Sequence, residues 1–173
     1  QIHMALKATN TVRQLFSNFP ARRKFLRSAA AEASRVQSLT VRFALAYPGV
    51  RFRLAIDGSQ VLSCSGSGDL REVISDVYGA GAAHAMLPLG DERQESEPGA
   101  PVCTGMIGPP SLTRANRNHI SITVNGRWVQ NRMLAYALQE AYHGFLKERR
   151  YPVAAVNVAV PYDEVDVNVH PSK

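Results

Sequence analysis

The sequence predicts an α+β domain, a mixed sheet with helices on one face. Apolar residues recur first at helical and then at alternating spacing. Two hairpin signals, Asp57-Gly58 and Asn125-Gly126, punctuate an order of strand, helices, hairpin, helix, strands, hairpin, helix and strand. The chain has 173 residues, 45% hydrophobic and 20% charged, a globular rather than a disordered balance. A chain of this length removes about 70% of its unfolded surface from water, so it needs neither disulfides nor a metal to hold a core. No apolar run approaches the ~18 residues of a membrane span, and no internal repeat is visible. Gln1 to Met4 resemble a cloning remnant rather than a signal peptide, so residues 1–6 are set aside as lead-in and 7–173 are read as one domain. Two distant cysteines, Cys64 and Cys103, fit a reduced, cytoplasmic setting.

Thr9 to Phe16 reads as a short strand. Asn18 can cap, and Pro20 is tolerated in a first turn, so a helix is expected through Arg27, with Lys24 and Arg27 on one face and Phe25 and Leu26 towards the core. A second helix is expected over roughly Ala31 to Tyr47. Val36, Leu39, Phe43 and Ala46 form its apolar stripe, Arg35 and Arg42 a basic stripe beside it, although Leu39 to Ala46 also suits a strand.

Phe52, Leu54 and Ile56 alternate as a strand, Asp57-Gly58 turns, and Val61 to Cys64 returns. Asp69 and Glu72 have capping-box spacing ahead of Leu70, Val73, Ile74 and Val77, and Gly79 stops that helix. Ala82 to Leu89 reads as a strand, Asp91 to Pro98 as a solvated acidic loop, Val102 to Ile107 as a strand, and Ser111 to Asn118 as a mobile basic loop.

Ile120, Ile122 and Val124 alternate, Asn125-Gly126 turns, and Arg127 to Val129 returns. Asn131 caps a helix expected to run to about Arg150, burying Leu134, Leu138, Ala141 and Phe145 and carrying Lys147, Arg149 and Arg150 at its carboxyl end. Val156, Val158 and Val160 form one strand, and Val165, Val167 and Val169 another, with Asp166, Asn168 and His170 on its opposite side.

The net charge is +6, unevenly spread. Residues 1–53 hold ten basic residues against one acid, or +9, and residues 54–173 hold ten against thirteen, or −3. A +9 segment is either a solvated face or a phosphate-binding one.

Self-contained catalytic chemistry is not evident. There is no phosphate loop, Gly-x-Ser-x-Gly or His-Glu-x-x-His. Asp166, Asn168 and His170 share a strand face and could in principle hold a metal. With no second ligand cluster they read as hydrogen-bonding the neighbouring backbone, so no metal is expected. Cys64 and Cys103 read as small buried hydrophobes, and His84 as a satisfied core histidine.

Two segments are more specific: Leu15 to Leu26 (LFSNFPARRKFL) and Asp166 to Lys173 (DVNVHPSK), with Val124-Asn125-Gly126-Arg127 between them. In this order and spacing they resemble the DNA mismatch repair MutL family, from about Thr9 to Lys173. The resemblance implies a transducer domain with the two-layer fold of ribosomal protein S5 domain 2, which sits beside a nucleotide-binding domain of the gyrase, heat-shock, histidine-kinase and MutL class. It implies that the fragment is no enzyme by itself, that ATP and Mg²⁺ belong to the neighbouring domain, with no cofactor bound here, and that any endonuclease activity lies elsewhere. Lys173, in the His-Pro-x-Lys motif, would contact the γ-phosphate of ATP. Lys24, Arg27, Arg42 and Arg132 would line a groove for single- or double-stranded DNA without reading its sequence.

MutS as a partner, a homodimeric parent, and a bacterial cytoplasmic location at the nucleoid, away from membranes, follow from the same resemblance. Lys7-Ala8 stand where the family has Gly-Thr, Asn10 replaces an apolar residue and Ser17 an aromatic one. Two alternatives remain open on the residues: a stand-alone S5-like nucleic-acid-binding module, and a protein-docking domain without DNA affinity.

Overall fold

The computed structural model describes residues 18–90 and 100–164, and the side chains of Arg23 and Glu164 are outside the description. The chain divides into two compact units, 1–35 and 36–173. The expected strands at Thr9 to Phe16 and Val165 to Val169, and the acidic loop, lie outside the described residues.

In the first unit, α1 is a single turn, Pro20–Arg23, with Pro20 in its first turn and Phe19, not Asn18, at the N-cap. The helix expected through Arg27 therefore ends early. Lys24 is its C-cap, and Arg27 belongs to the connection that follows. Phe25 is 83% exposed and Leu26 38%, so neither is a core residue of this unit. Ser28 Oγ accepts from Ala31 N (3.3 Å) and Glu32 Oε1 from Arg27 N (3.0 Å), which together start α2, Ala29–Ala46.

From Val36 onwards α2 belongs to the second unit. The segment Leu39 to Ala46 is helical, not extended, but the buried residues are Ala44 and Leu45. Val36, Leu39 and Phe43 are exposed, which corrects the expected stripe. Ala44 and Leu45 face the core, whereas Val36, Leu39 and Phe43 turn outwards.

A hairpin follows, β1 (Phe52–Ile56) and β2 (Ser59–Cys64), turning at Asp57 (φ 50°) and Gly58 (φ 79°). Asp69 caps α3 (Leu70–Tyr78) by accepting from Arg71 N at 2.8 Å. Glu72 does not complete a capping box. It accepts from Ser65 Oγ (2.8 Å) instead, and hydrogen bonds from Ser67 and Ser65 lower its pKa.

Gly79 ends α3 with φ 92°, and α4 (Ala80–Ala85) begins at once where a strand was expected. An alanine-rich stretch has high helix propensity, and only β3 (Leu87–Leu89) is extended. Arg71 closes this corner by donating to the carbonyls of Ala83 and Met86 at the end of α4. His84 is exposed on α4 rather than a core histidine.

The main sheet runs β3-β4-β9-β6-β7, with β4 (Val102–Ile107), β6 (Ile120–Val124), β7 (Arg127–Trp128) and β9 (Ala154–Ala159). Among the described strands only β6 and β9 pair in parallel, joined by a crossover containing α5 (Arg132–Glu140). The sheet is therefore mixed and the domain α+β. Gly105 (φ 131°) lets β4 approach β9, since an added Cβ would meet the Ala155 carbonyl.

The core unites Ala44 and Leu45 of α2, Leu62 and Cys64 of β2, Val73 and Ile74 of α3, and Met106 and Ala155 of the sheet. Cys64 is buried as expected, and burial, then Asp76, pushes its thiol pKa up. Cys103 is exposed, contrary to expectation.

Two further corrections concern the other side of the crossover. The segment read as a mobile loop holds β5 (Thr113–Arg114), paired with β8 (Tyr151–Pro152), and a 3₁₀ turn at Arg117–His119. The helix expected to reach Arg150 stops at Glu140, and the chain then turns, with Gly144 at φ 81°. Tyr142 is buried in place of Ala141 and Phe145, its hydroxyl donating to Gly108 O at 2.7 Å. Phe145 is 71% exposed.

Candidate nucleic-acid interface

The β6–β7 hairpin organises the second unit's polar side. Asn125 (φ 48°) and Gly126 (φ 76°) make the primed turn their sequence calls for. The Asn125 side chain then does more than turn the chain. Its Oδ1 accepts from Val160 N (2.9 Å) and its Nδ2 donates to Val160 O (3.0 Å). Asn157 Oδ1 accepts from Thr123 Oγ1 (2.8 Å) and Gly126 N (2.9 Å). The end of β9 is thus held to the hairpin by four side-chain hydrogen bonds.

The returning strand presents Arg127 and Trp128. Arg127 is exposed. The Arg42 guanidinium lies 5.2 Å from the Trp128 ring centre, a cation–π contact, and Phe43 meets the same ring edge-on at 6.3 Å. Phe43 also stacks on Tyr47, which explains where part of the outward stripe of α2 goes. Behind Arg42, burial pushes the Tyr78 phenol up to about 12, opposed by the charges of Arg42 and Arg114. Tyr78 packs on His119 at 4.9 Å. His119 Nδ1 is buried without a hydrogen-bond partner among the described residues, and burial, then Arg114, lowers the imidazole pKa.

Arg132 opens α5 and is exposed. Asn131 caps that helix by accepting from Met133 N (2.8 Å) and Leu134 N (3.2 Å). A cation in a first turn opposes the helix dipole, typically by 0.3–1 kcal/mol, so helix stability does not account for Arg132. The single ion pair among the described residues is Arg35–Glu32 at 3.1 Å, so neither Arg42 nor Arg132 is paired with a carboxylate there.

Lys24 and Arg27 are exposed in the first unit. They do not share a helix face, because α1 is only four residues long. Lys173, together with Asp166, Asn168 and His170, lies outside the described residues. Among the described residues no group of three or more His, Cys, Asp or Glu could hold a metal ion, and no helix is long and apolar enough to cross a membrane.

Sequence reasoning missed Trp128, Arg127 and Asn157. Signals for them existed. Trp128 is the sole tryptophan and stands two residues after Asn-Gly, and Asn157 is the one polar residue between Val153 and Val160.

Fold and site together define a basic α+β domain that presents cations and aromatic rings rather than an enclosed catalytic cluster among its described residues. The same fold occurs in a crystal structure of the N-terminal domain of a DNA repair protein (TM-score 0.75, 24% identity, 91% of this chain and 51% of that one). It recurs in the Aquifex aeolicus MutL ATPase domain complexed with ADP (TM-score 0.63, 24% identity, 87% and 51%). Residues 74–173 match the family model for the DNA mismatch repair protein, C-terminal domain. The chain belongs to the DNA mismatch repair MutL family. It is 42% identical over 165 residues to MutL of Shouchella clausii, covering 95% of this chain and 24% of that protein. It is 44% identical over 163 residues to MutL of Desulforudis audaxviator, covering 94% and 28%. The chain therefore spans about a quarter of the curated relatives' length and about half of the solved chains.

Proposed function

We propose that this chain is the transducer of a MutL mismatch repair ATPase, coupling the nucleotide state of a neighbouring domain to DNA binding. The observation that carries the coupling is the pair of asparagine clasps. Lys173 follows β9 in sequence, and Asn125 and Asn157 tie the end of β9 to the hairpin whose Trp128 supports Arg42. A displacement of the segment beyond Val160 is transmitted through hydrogen bonds to a ring that orients a cation.

In this reading Lys173 reaches the γ-phosphate of ATP. An ammonium suits that task, since its interaction depends on whether the terminal phosphate is present. ATP and Mg²⁺ would be held by the nucleotide-binding part of a complete MutL. Of this chain's own residues Lys173 alone touches the nucleotide, and the chain by itself is not an ATPase.

Lys24, Arg27, Arg42 and Arg132 contact DNA phosphates. Lys24, Arg27 and Arg132 are exposed and Arg42 is half-buried on the Trp128 ring; cations with no carboxylate partner among the described residues give affinity for a polyanion without sequence readout. The misfit of Arg132 with its own helix dipole supports a role outside the helix. MutS and a second MutL copy are the protein partners this reading implies, in the bacterial cytoplasm.

The test is Lys173→Ala in a complete MutL carrying this stretch. Hydrolysis should fall much further than DNA affinity. Equal loss of both would remove Lys173 from the sensor role.

A further inference from the structure

A second cationic surface lies beyond the other end of α5 from Arg132. A pocket of 460 Å³ opens between Pro110, Ser111 and Thr113 on one side and Phe145, Lys147 and Arg150 on the other. We propose that this pocket binds a single DNA strand, with a phosphodiester on Lys147 and Arg150 and a base on Phe145. The proposal rests on the nucleic-acid reading above but uses none of its residues.

Arg150 is fixed before any ligand arrives. Its Nε donates to Thr113 Oγ1 (2.8 Å) and one terminal nitrogen to Thr113 O (3.1 Å), which leaves the rest of the guanidinium fork for the pocket. Arg150 N donates to Lys147 O (3.2 Å), closing a turn that brings the two cationic residues side by side. Arg149 sits inside that turn at φ 57°, a left-handed conformation that is unusual for arginine.

The surroundings are strongly positive. Residues 108–119 and 141–151 contain Arg114, Arg117, Lys147, Arg149 and Arg150 against one carboxylate, Glu148. Lys147 and Arg149 have no ion-pair partner among the described residues. Phe145, 71% exposed, leaves its ring open to a base. A phenyl face beside a held guanidinium and a free ammonium is the combination that binds unpaired strands, since a duplex keeps its bases stacked and withholds them. An acidic peptide would use the charges but would leave Phe145 without a flat partner.

The probe is an oligothymidylate strand, titrated by fluorescence anisotropy against the 173-residue chain, with a mixed-sequence duplex and a polyglutamate peptide in parallel. Phe145→Ala should weaken strand binding roughly ten-fold and leave duplex binding unchanged. Lys147→Ala should flatten the salt dependence of strand binding by about 0.7 in log–log slope. Both side chains are exposed, so unchanged melting temperatures will confirm that folding is intact.

Strand affinity indifferent to Phe145→Ala overturns the proposal, as does an equal loss for strand and duplex. Polyglutamate binding that equals strand binding also overturns it, in favour of an acidic protein partner. If Arg132→Ala spares duplex binding while Phe145→Ala removes strand binding, the transducer surface is wrong and this site stands. The reverse pattern rejects this site alone.

Discussion

Asn125 and Val160 are joined by a reciprocal pair of hydrogen bonds, backbone N to Oδ1 at 2.9 Å and Nδ2 to backbone O at 3.0 Å. The Asn125 side chain behaves as an extra peptide unit, pairing with the chain as it leaves β9, while its own backbone holds the left-handed turn that asparagine tolerates. Asn125→Gly keeps the turn and deletes the clasp, and Asn125→Ala forfeits both. Each half-buried hydrogen bond contributes about 1 kcal/mol net, so the glycine variant should lose about 2 kcal/mol and the alanine variant more. Denaturant unfolding followed at the single tryptophan measures the difference.

Arg42 and Arg132 give a separable electrostatic signature. Each phosphate contact removed should flatten the log–log salt dependence of duplex affinity by about 0.9. Arg132→Ala should show this with no loss of stability, because the residue is exposed and opposes its helix dipole. Arg42→Ala should flatten the slope similarly and also alter Trp128 emission, because its guanidinium rests on that ring. Anisotropy titrations over a salt series provide the slopes, and an unchanged slope removes the residue from the interface.

His119 sets an acid limit on stability. Its folded pKa is lowered from 6.5 by burial and by Arg114, and its Nδ1 has no partner among the described residues. The unfolded chain therefore binds a proton more readily than the folded one. The stabilisation is complete above the unfolded value and is lost as pH falls through about 6.5 towards the folded pKa. Thermal melting against pH should show this decline, and His119→Gln should reduce it. A decline of the same size in the variant would assign the acid sensitivity to other groups.

Much of the second unit was legible because its signals are local. Asp57-Gly58 and Asn125-Gly126 turn through the left-handed backbone they tolerate, Asp69 and Asn131 cap through their own side chains, and the structure uses each of them. The errors arose where long-range packing decides. Val36, Leu39 and Phe43 have helical spacing, yet Ala44 and Leu45 face the core, because the elements around α2, not its own period, decide which side is buried. Ala82 to Leu89 reads as a strand from its apolar run, but its first half is the end of α4, which Arg71, eleven residues earlier in the chain than Ala82, binds. The segment at Ser111 to Asn118 has no period of its own, since β5 exists only by pairing with β8.

Candidate residues followed the same division. Arg42 and Arg132 could be named from a resemblance, and the first-turn position of Arg132 follows from the Asn131 cap, but the Trp128 ring beside Arg42 is a tertiary fact. Lys24 and Arg27 are exposed as required of phosphate contacts, although the helix meant to align them is a single turn.

The coupling claim is tested most directly by the change in ATP hydrolysis when duplex DNA is added to a complete MutL carrying this stretch, compared with its Asn125→Gly variant under conditions where both are folded. The account predicts that DNA changes the rate in the parent, and that in the variant the basal rate and DNA affinity persist while the response is lost. A variant whose hydrolysis still responds fully to DNA would contradict transmission through the Asn125–Val160 clasp.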